Sequence, residues 1–184
     1  QHPNIVPVHE MGQLPDGRLY FTMQEIRGRE FTEAIEAVHA AVKHDRWHPT
    51  TDGWNFHRLV DVFHQVCNAV AYAHAKGVVH RDLKPENVML GSYGEVLVVD
   101  WGIAKVKGRP DRFSEEGGLD VVQTKRSEEG AHATRMGQVA GTPAYMAPEQ
   151  AQGRIDQIDA RTDVYALGAI LRGRDVEAVP ARSA

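Results

Sequence analysis

The chain is nearly devoid of cysteine: Cys67 is the only one in 184 residues, which excludes any intrachain disulfide and points to a reducing compartment. It also lacks an excess of positive charge. A formal net charge of −4 and a pI near 6.2 argue against nucleic acid or an anionic membrane surface as the main partner. No apolar run approaches the ~20 residues needed to cross a bilayer, and no signal-peptide pattern opens the sequence. A cytoplasmic protein without membrane contact of its own is therefore expected. Ten histidines are present, but they do not assemble into a zinc pattern. His44 and His48 are separated by Trp47 and followed by Pro49, His57 and His64 are seven apart, and no cysteine or carboxylate set completes a site with them. Packed or solvated histidines account for these positions.

What is present is an ordinary globular composition, 42% hydrophobic, with clear periodicity. Ile5-Val6-Pro7-Val8 and Leu19 to Met23 are predicted as two strands of a hairpin, with Pro15-Asp16-Gly17 supplying the turn. Apolar residues at helical spacing predict a helix from Phe31 to Val42, with Ala34, Ile35, Val38, Ala41 and Val42 on one side. Polar residues 43–54 read as a loop. The strongest helical stretch is Phe56 to Ala75, with a stripe of Leu59, Val60, Phe63, Val66, Cys67, Val70 and Ala71, and with Gly77 as its stop. Glu95 to Val99 is a compact strand signal, and Val164 to Leu171 reads as a buried helix. Residues 105–138, rich in Gly, Ser, Glu, Lys and Arg, lack apolar periodicity and are expected to form a solvated insertion.

The chemistry is concentrated in four short stretches. His80-Arg81-Asp82-Leu83-Lys84-Pro85-Glu86-Asn87 puts a base, a cation and a metal-binding amide on one tight loop. Phosphoryl transfer needs those three side by side: a group to orient a hydroxyl, a group to neutralise phosphate charge and a group to hold magnesium. Asp100-Trp101-Gly102 closes the Glu95–Val99 strand. Gly141 to Glu149, ending in Ala-Pro-Glu, comes third. Asp163-Val164-Tyr165-Ala166-Leu167-Gly168 is the fourth. In this order they resemble the catalytic loop, the magnesium-binding Asp-Phe-Gly (here with Trp), the end of the activation segment and the central helix of protein kinases. Lys84 two residues after Asp82, with Thr142 downstream, resembles the serine/threonine branch. Gln150 and the opening His2-Pro3-Asn4-Ile5-Val6 resemble bacterial, eukaryotic-like (Hanks-type) members.

The resemblance implies an α+β, protein-kinase-like fold, partial in this sequence. It covers residues 1 to about 171, with the end of the N-lobe sheet and the hinge at 1–27, the first half of a mainly helical C-lobe at 28–171 and a long activation segment at 100–149. The family's Gly-rich loop, strand lysine and late C-lobe helices have no counterpart in these 184 residues, and 172–184 is expected to be an atypical, disordered tail. By the same resemblance, Asp82 is the catalytic base, Lys84 pairs with the transferred phosphate, and Thr142 bonds both. Asn87 and Asp100 hold Mg2+. Met23 is the gatekeeper, Gln24, Glu25 and Ile26 form the hinge, and Met89 packs beneath the adenine of ATP. Asp163 holds the catalytic-loop backbone, and its place three residues before an apolar run also reads as a helix N-cap, the two being compatible. Glu149 pairs with an arginine of later helices. Val8, His80 and Trp101 belong to one apolar stack. Arg81 is expected to receive a phosphate carried on Thr134, with Thr124 and Ser127 as rival positions. The function implied is transfer of the ATP γ-phosphate to a Ser/Thr hydroxyl of a protein substrate, weak for this chain alone. The alternative is a non-catalytic kinase remnant that binds nucleotide or protein.

Overall fold

The computed structural model describes residues 1–16, 18–42, 47–101, 104–106 and 141–173. His44, Gly102, most of the 105–138 insertion with Thr124, Ser127 and Thr134, and the tail beyond Gly173 lie outside the described residues. In chain order the elements are β1 (Val8–Gln13), β2 (Leu19–Met23), β3 (Gly28–Glu30), α1 (Phe31–Ala40), α2 (Phe56–Ala75), β4 (Val78–Val79), β5 (Val88–Gly91), β6 (Val96–Val98), β7 (Lys105–Val106), α3 (Pro148–Ala151) and α4 (Ala160–Arg172). Single 3₁₀ turns occupy Pro85–Asn87, Pro143–Tyr145 and Ile155–Gln157. The mixed strand and helix content is that of the expected α+β class. The chain separates into two compact units: Gln1–Lys76 with Pro85–Asp100, and Gly77–Lys84 with the chain from Trp101 onward.

In the first unit, β1 and β2 pair antiparallel in the register Glu10↔Thr22 and Gln13↔Leu19. The first strand therefore starts at Val8 rather than covering Ile5–Val8. Pro7 lacks the N–H that would carry a ladder backward. Instead Ile5 bridges Val98 in parallel, and Val6 is buried with Met89 and Val99. β3, β5 and β6 form a second, antiparallel sheet in the order β3-β5-β6. Its β6 edge is closed by Asn4, whose carbonyl accepts from Val98 N–H at 2.8 Å and whose Nδ2 donates to the Val96 carbonyl at 2.8 Å. An edge covered in this way offers no ladder to a passing chain.

The two helices of this unit follow from local chemistry. Ahead of α1, the Glu33 carboxylate reaches back to accept from the Glu30 N–H, satisfying one of the first-turn donors. Asn55 caps α2 by accepting from the Arg58 N–H at 3.0 Å. The boundaries of α2 match the periodicity, but its buried stripe is rotated: Leu59, Val62, Val66, Ala69, Val70 and Ala73 face inward, whereas Val60 is exposed. Likewise α1 buries Phe31, Ala34 and Val38 and ends at Ala40, so that Val42 lies beyond it and is exposed. Both stretches carry apolar residues wider than one face, so periodicity alone left the facing residue ambiguous by one position. Trp54 anchors the loop between the helices. Its ring is buried between the guanidinium groups of Arg29 (4.6 Å) and Arg58 (4.1 Å), each cation–π contact adding about 0.5–1 kcal/mol.

In the second unit, β4 and β7 pair antiparallel, and α4 packs against β4 and the Pro143–Tyr145 turn. Lys105 Nζ donates to the carbonyls of Ile155 and Ile158, at 2.7 and 3.3 Å. The N-cap of α4 is Asp159, whose side chain accepts from the Arg161 N–H at 2.8 Å. Asp163 lies inside the helix and is buried, so the cap reading of Asp163 is corrected: the helix starts four residues earlier than its apolar run. Bonds from the Arg161 side chain and backbone hold the Asp159 carboxyl below its ordinary value. The folded-state pKa is thus depressed, and the cap's contribution is present above the ordinary carboxylate range and lost as pH falls below that range through the depressed folded-state value. Asp159→Ala is expected to lower stability by about 1 kcal/mol at neutral pH. Urea unfolding should show this gap vanish at a pH low enough to protonate Asp159.

Candidate active site

Each half of the implied constellation is built within one unit. In the second unit, β4 delivers the chain into His80-Arg81-Asp82, and α4 receives it. The buried Asp163 carboxylate accepts from the His80 N–H at 2.8 Å through Oδ2 and from the Arg81 N–H at 2.9 Å through Oδ1. Two charge-assisted bonds from one carboxylate hold two consecutive peptides. They sustain Arg81 at φ 74°, in the left-handed region that a residue with a long side chain seldom occupies. The His80 ring lies 4.5 Å from the Trp101 ring, tilted by 57°, so tryptophan is accommodated where the family motif has phenylalanine. Val8 belongs to the other unit and is 53% exposed.

Beyond this turn, Asp82 Oδ1 accepts two bonds from one residue: the Thr142 N–H at 2.9 Å and the Thr142 hydroxyl at 2.9 Å. Lys84 Nζ donates to Thr142 Oγ1 at 2.8 Å and stands 3.4 Å from Asp82 Oδ2. Asp82, Lys84 and Thr142 thus form a closed triangle of carboxylate, ammonium and hydroxyl. The Asp82 and Lys84 side chains are only 14% and 22% exposed, a setting in which charges interact more strongly than in bulk water.

In the first unit the β5–β6 hairpin assembles the other pair. β5 begins after Asn87, β6 ends before Val99, and Val88 pairs with Val98. The Val99 N–H continues the ladder by donating to the Asn87 carbonyl at 2.9 Å. Asn87, nearly fully buried, and Asp100 therefore lie at the same open end of the hairpin. Asp100 sits at φ 60°, the second described non-glycine residue in the left-handed region. An amide oxygen and a carboxylate are hard donors suited to Mg2+.

The remaining predicted residues divide. Met89 is buried with Val6 and Val99, and Ile26 packs against that cluster. Met23, Gln24 and Glu25 are exposed, Met23 to 42%. Glu25 accepts from the Arg27 guanidinium at 3.2 Å. Arg81 is buried, while Thr134 lies outside the described residues. Glu149 accepts from the Thr162 hydroxyl of α4 at 2.7 Å. Thr162 was missed, although its place beside Asp163 on a helix with few apolar inner positions was the available signal. Burial pushes the Cys67 thiol up, which leaves it a poor nucleophile.

This arrangement has known relatives. A profile of the protein kinase domain matches residues 1–174, and the chain belongs to the protein kinase family. More particularly, it is 40% identical over 172 residues to the serine/threonine-protein kinase PknD of Protochlamydia amoebophila (strain UWE25), an alignment covering 92% of this chain and 16% of that protein. It is 36% identical to PknD of Chlamydia felis (strain Fe/C-56), with 92% and 17% covered. It is 37% identical over 174 residues to the serine/threonine-protein kinase pkn3 of Myxococcus xanthus, with 92% and 26% covered. The chain therefore spans between about a sixth and a quarter of the length of these relatives.

Proposed function

We propose that the chain is the catalytic-loop and activation-segment portion of a bacterial serine/threonine protein kinase that transfers the γ-phosphate of ATP to a hydroxyl of a protein substrate. The single observation that carries this reading is the triangle of Asp82, Lys84 and Thr142. Thr142 fixes Asp82 through Oδ1, and Lys84 Nζ stands 3.4 Å from Oδ2. In that position Asp82 orients the Ser/Thr hydroxyl and accepts its proton as the oxygen attacks phosphorus. Lys84 offsets the charge of the phosphoryl group in transit, and Thr142 keeps base and cation in register.

Asn87 and Asp100 fit Mg2+ by the chemistry of their oxygens and by their shared place at the hairpin end. Asn87 and Asp100 would hold the metal, which would supply positive charge to offset that developing on the phosphoryl group. Met89 and Ile26 would lie against the adenine, Met23 would line the back of its pocket, and backbone groups of Gln24 and Glu25 would meet its polar edge. His80 and Trp101 keep the base's turn packed from behind. Arg81 would pair with a phosphate carried on Thr134 as the regulatory contact. The cytoplasm, which supplies ATP and magnesium, is the proposed compartment.

Two measurements test the proposal. The natural protein at its full encoded length, incubated with Mg2+ and ATP, should label a protein substrate on serine or threonine, and a preparation unable to do so overturns the reading. The 184-residue polypeptide alone carries no Gly-rich loop or strand lysine to seat the phosphates. Its turnover should be weak, since positioning contributes up to about 7–11 kcal/mol in well-oriented reactions. Robust turnover by this polypeptide, abolished by Asp82→Asn, would contradict that expectation. A thermal upshift with Mg2+ and ATP but no transfer by the full-length protein would instead favour the nucleotide-binding remnant.

A further inference from the structure

We infer that Gln150 is a positioning residue for the catalytic base, acting through the carbonyl of Arg81; the inference rests on the kinase reading above. Gln150 follows the Ala-Pro-Glu triplet on α3 and is 3% exposed. Its Nε2 donates to the Arg81 carbonyl at 2.6 Å, the bond being buried. That carbonyl belongs to the peptide joining Arg81 to Asp82. Its direction sets the backbone rotation at Asp82 and hence where the carboxylate points. Arg81 holds φ 74°, and a left-handed non-glycine residue persists only where its surroundings over-determine it. The Asp163 carboxylate takes the N–H of Arg81, and Gln150 takes its C=O. Without the second tie, the Arg81–Asp82 peptide is free to rotate toward a commoner conformation while the first remains intact.

Gly141 ties the same amide to the other side of the base. A Cβ built on Gly141 would stand 2.5 Å from Gln150 Nε2 and 3.1 Å from the Arg81 carbonyl oxygen, and its φ of 129° is one that side-chain-bearing residues rarely adopt. The notch left by glycine is thus filled by the Gln150 amide. The residue immediately after Gly141 is Thr142, which makes both bonds to Asp82 Oδ1. One amide group therefore braces the turn that presents Asp82 and seats the segment that presents its partner. The position demands a donor of this length. Methionine fills the volume but donates nothing, and an ionised glutamate would set oxygen against oxygen.

The test uses the natural protein at full encoded length, with wild type and the Asp82→Asn, Gln150→Met and Gln150→Glu variants compared. Gln150→Met should lower kcat about tenfold to a hundredfold, the scale of a small misplacement of reacting groups, with KM for ATP unchanged. Gln150→Glu should be similarly impaired at about pH 8 and recover relative to wild type toward about pH 6, because a protonated carboxyl donates to the Arg81 carbonyl and burial raises its pKa. The Met variant should show no such recovery. Hydrogen exchange of the peptide spanning residues 80–84 should quicken in Gln150→Met at unchanged Tm. A Met variant with wild-type kcat, or a Glu deficit independent of pH, overturns the assignment. Should wild type itself transfer no phosphate, the kinase reading fails on its own. The exchange measurement then judges Gln150 alone, and unchanged exchange refutes its role.

Discussion

Asp163→Ala is expected to destabilise the domain by about 2–6 kcal/mol. The reasoning is local. The Asp163 carboxylate receives the His80 and Arg81 N–H groups in a buried site. Removing it leaves both donors without that acceptor, and each unsatisfied buried group costs about 1–3 kcal/mol. The loss also releases Arg81 from φ 74°, which disperses the turn instead of merely opening a hole. For a domain of this size the midpoint should fall by roughly 2–4 °C per kcal/mol. Asp163→Asn, which keeps one acceptor oxygen but turns an amide N–H toward the other donor, should fall between wild type and alanine. Differential scanning calorimetry decides: an alanine variant melting within a degree or two of wild type would show that the catalytic-loop backbone is held by something else.

The second large effect concerns turnover. Asp82→Asn should reduce kcat by about 10²–10⁴-fold, the range attributed to a positioned acid–base group, equivalent to about 3–5 kcal/mol of barrier. Asparagine retains the shape and can still accept from the Thr142 N–H and hydroxyl through Oδ1. What it loses is the basic oxygen and the negative charge 3.4 Å from Lys84. The expected signature is a near-normal Tm and KM for ATP with kcat collapsed. Labelled-phosphate transfer measured beside a melting curve separates this from unfolding. Comparable turnover in the asparagine variant would remove Asp82 from the chemistry.

How far the residues alone carried the interpretation differs from place to place. The family was legible in the His80–Asn87 and Asp100–Gly102 stretches because short polar residues at fixed offsets beside apolar strands have few other uses. The limits of α2 were legible because a long apolar period and the stop at Gly77 agree. The burying face of α2 was not, since Val60 and Val62 are chemically equivalent and only the packed sheet chooses between them. The start of α4 was misplaced because Asp159 and Asp163 are equally good caps by type, and helix periodicity in a polar first turn is silent. The contacts of Thr162 and Gln150 were not legible because their partners, Glu149 and the Arg81 carbonyl, stand 13 and 69 positions away along the chain.

The sequence by itself determined the chemistry: which carboxylates, amide, ammonium and hydroxyl are available, and the family to which they belong. Local spacing suffices for that, because each motif is a few residues long and its function depends on residue type. Tertiary structure alone decided how those groups are aimed. The left-handed turn at Arg81 is uphill for any chain on its own, and it exists because a helix carboxylate and a buried amide, distant in sequence, take both of its backbone polar groups.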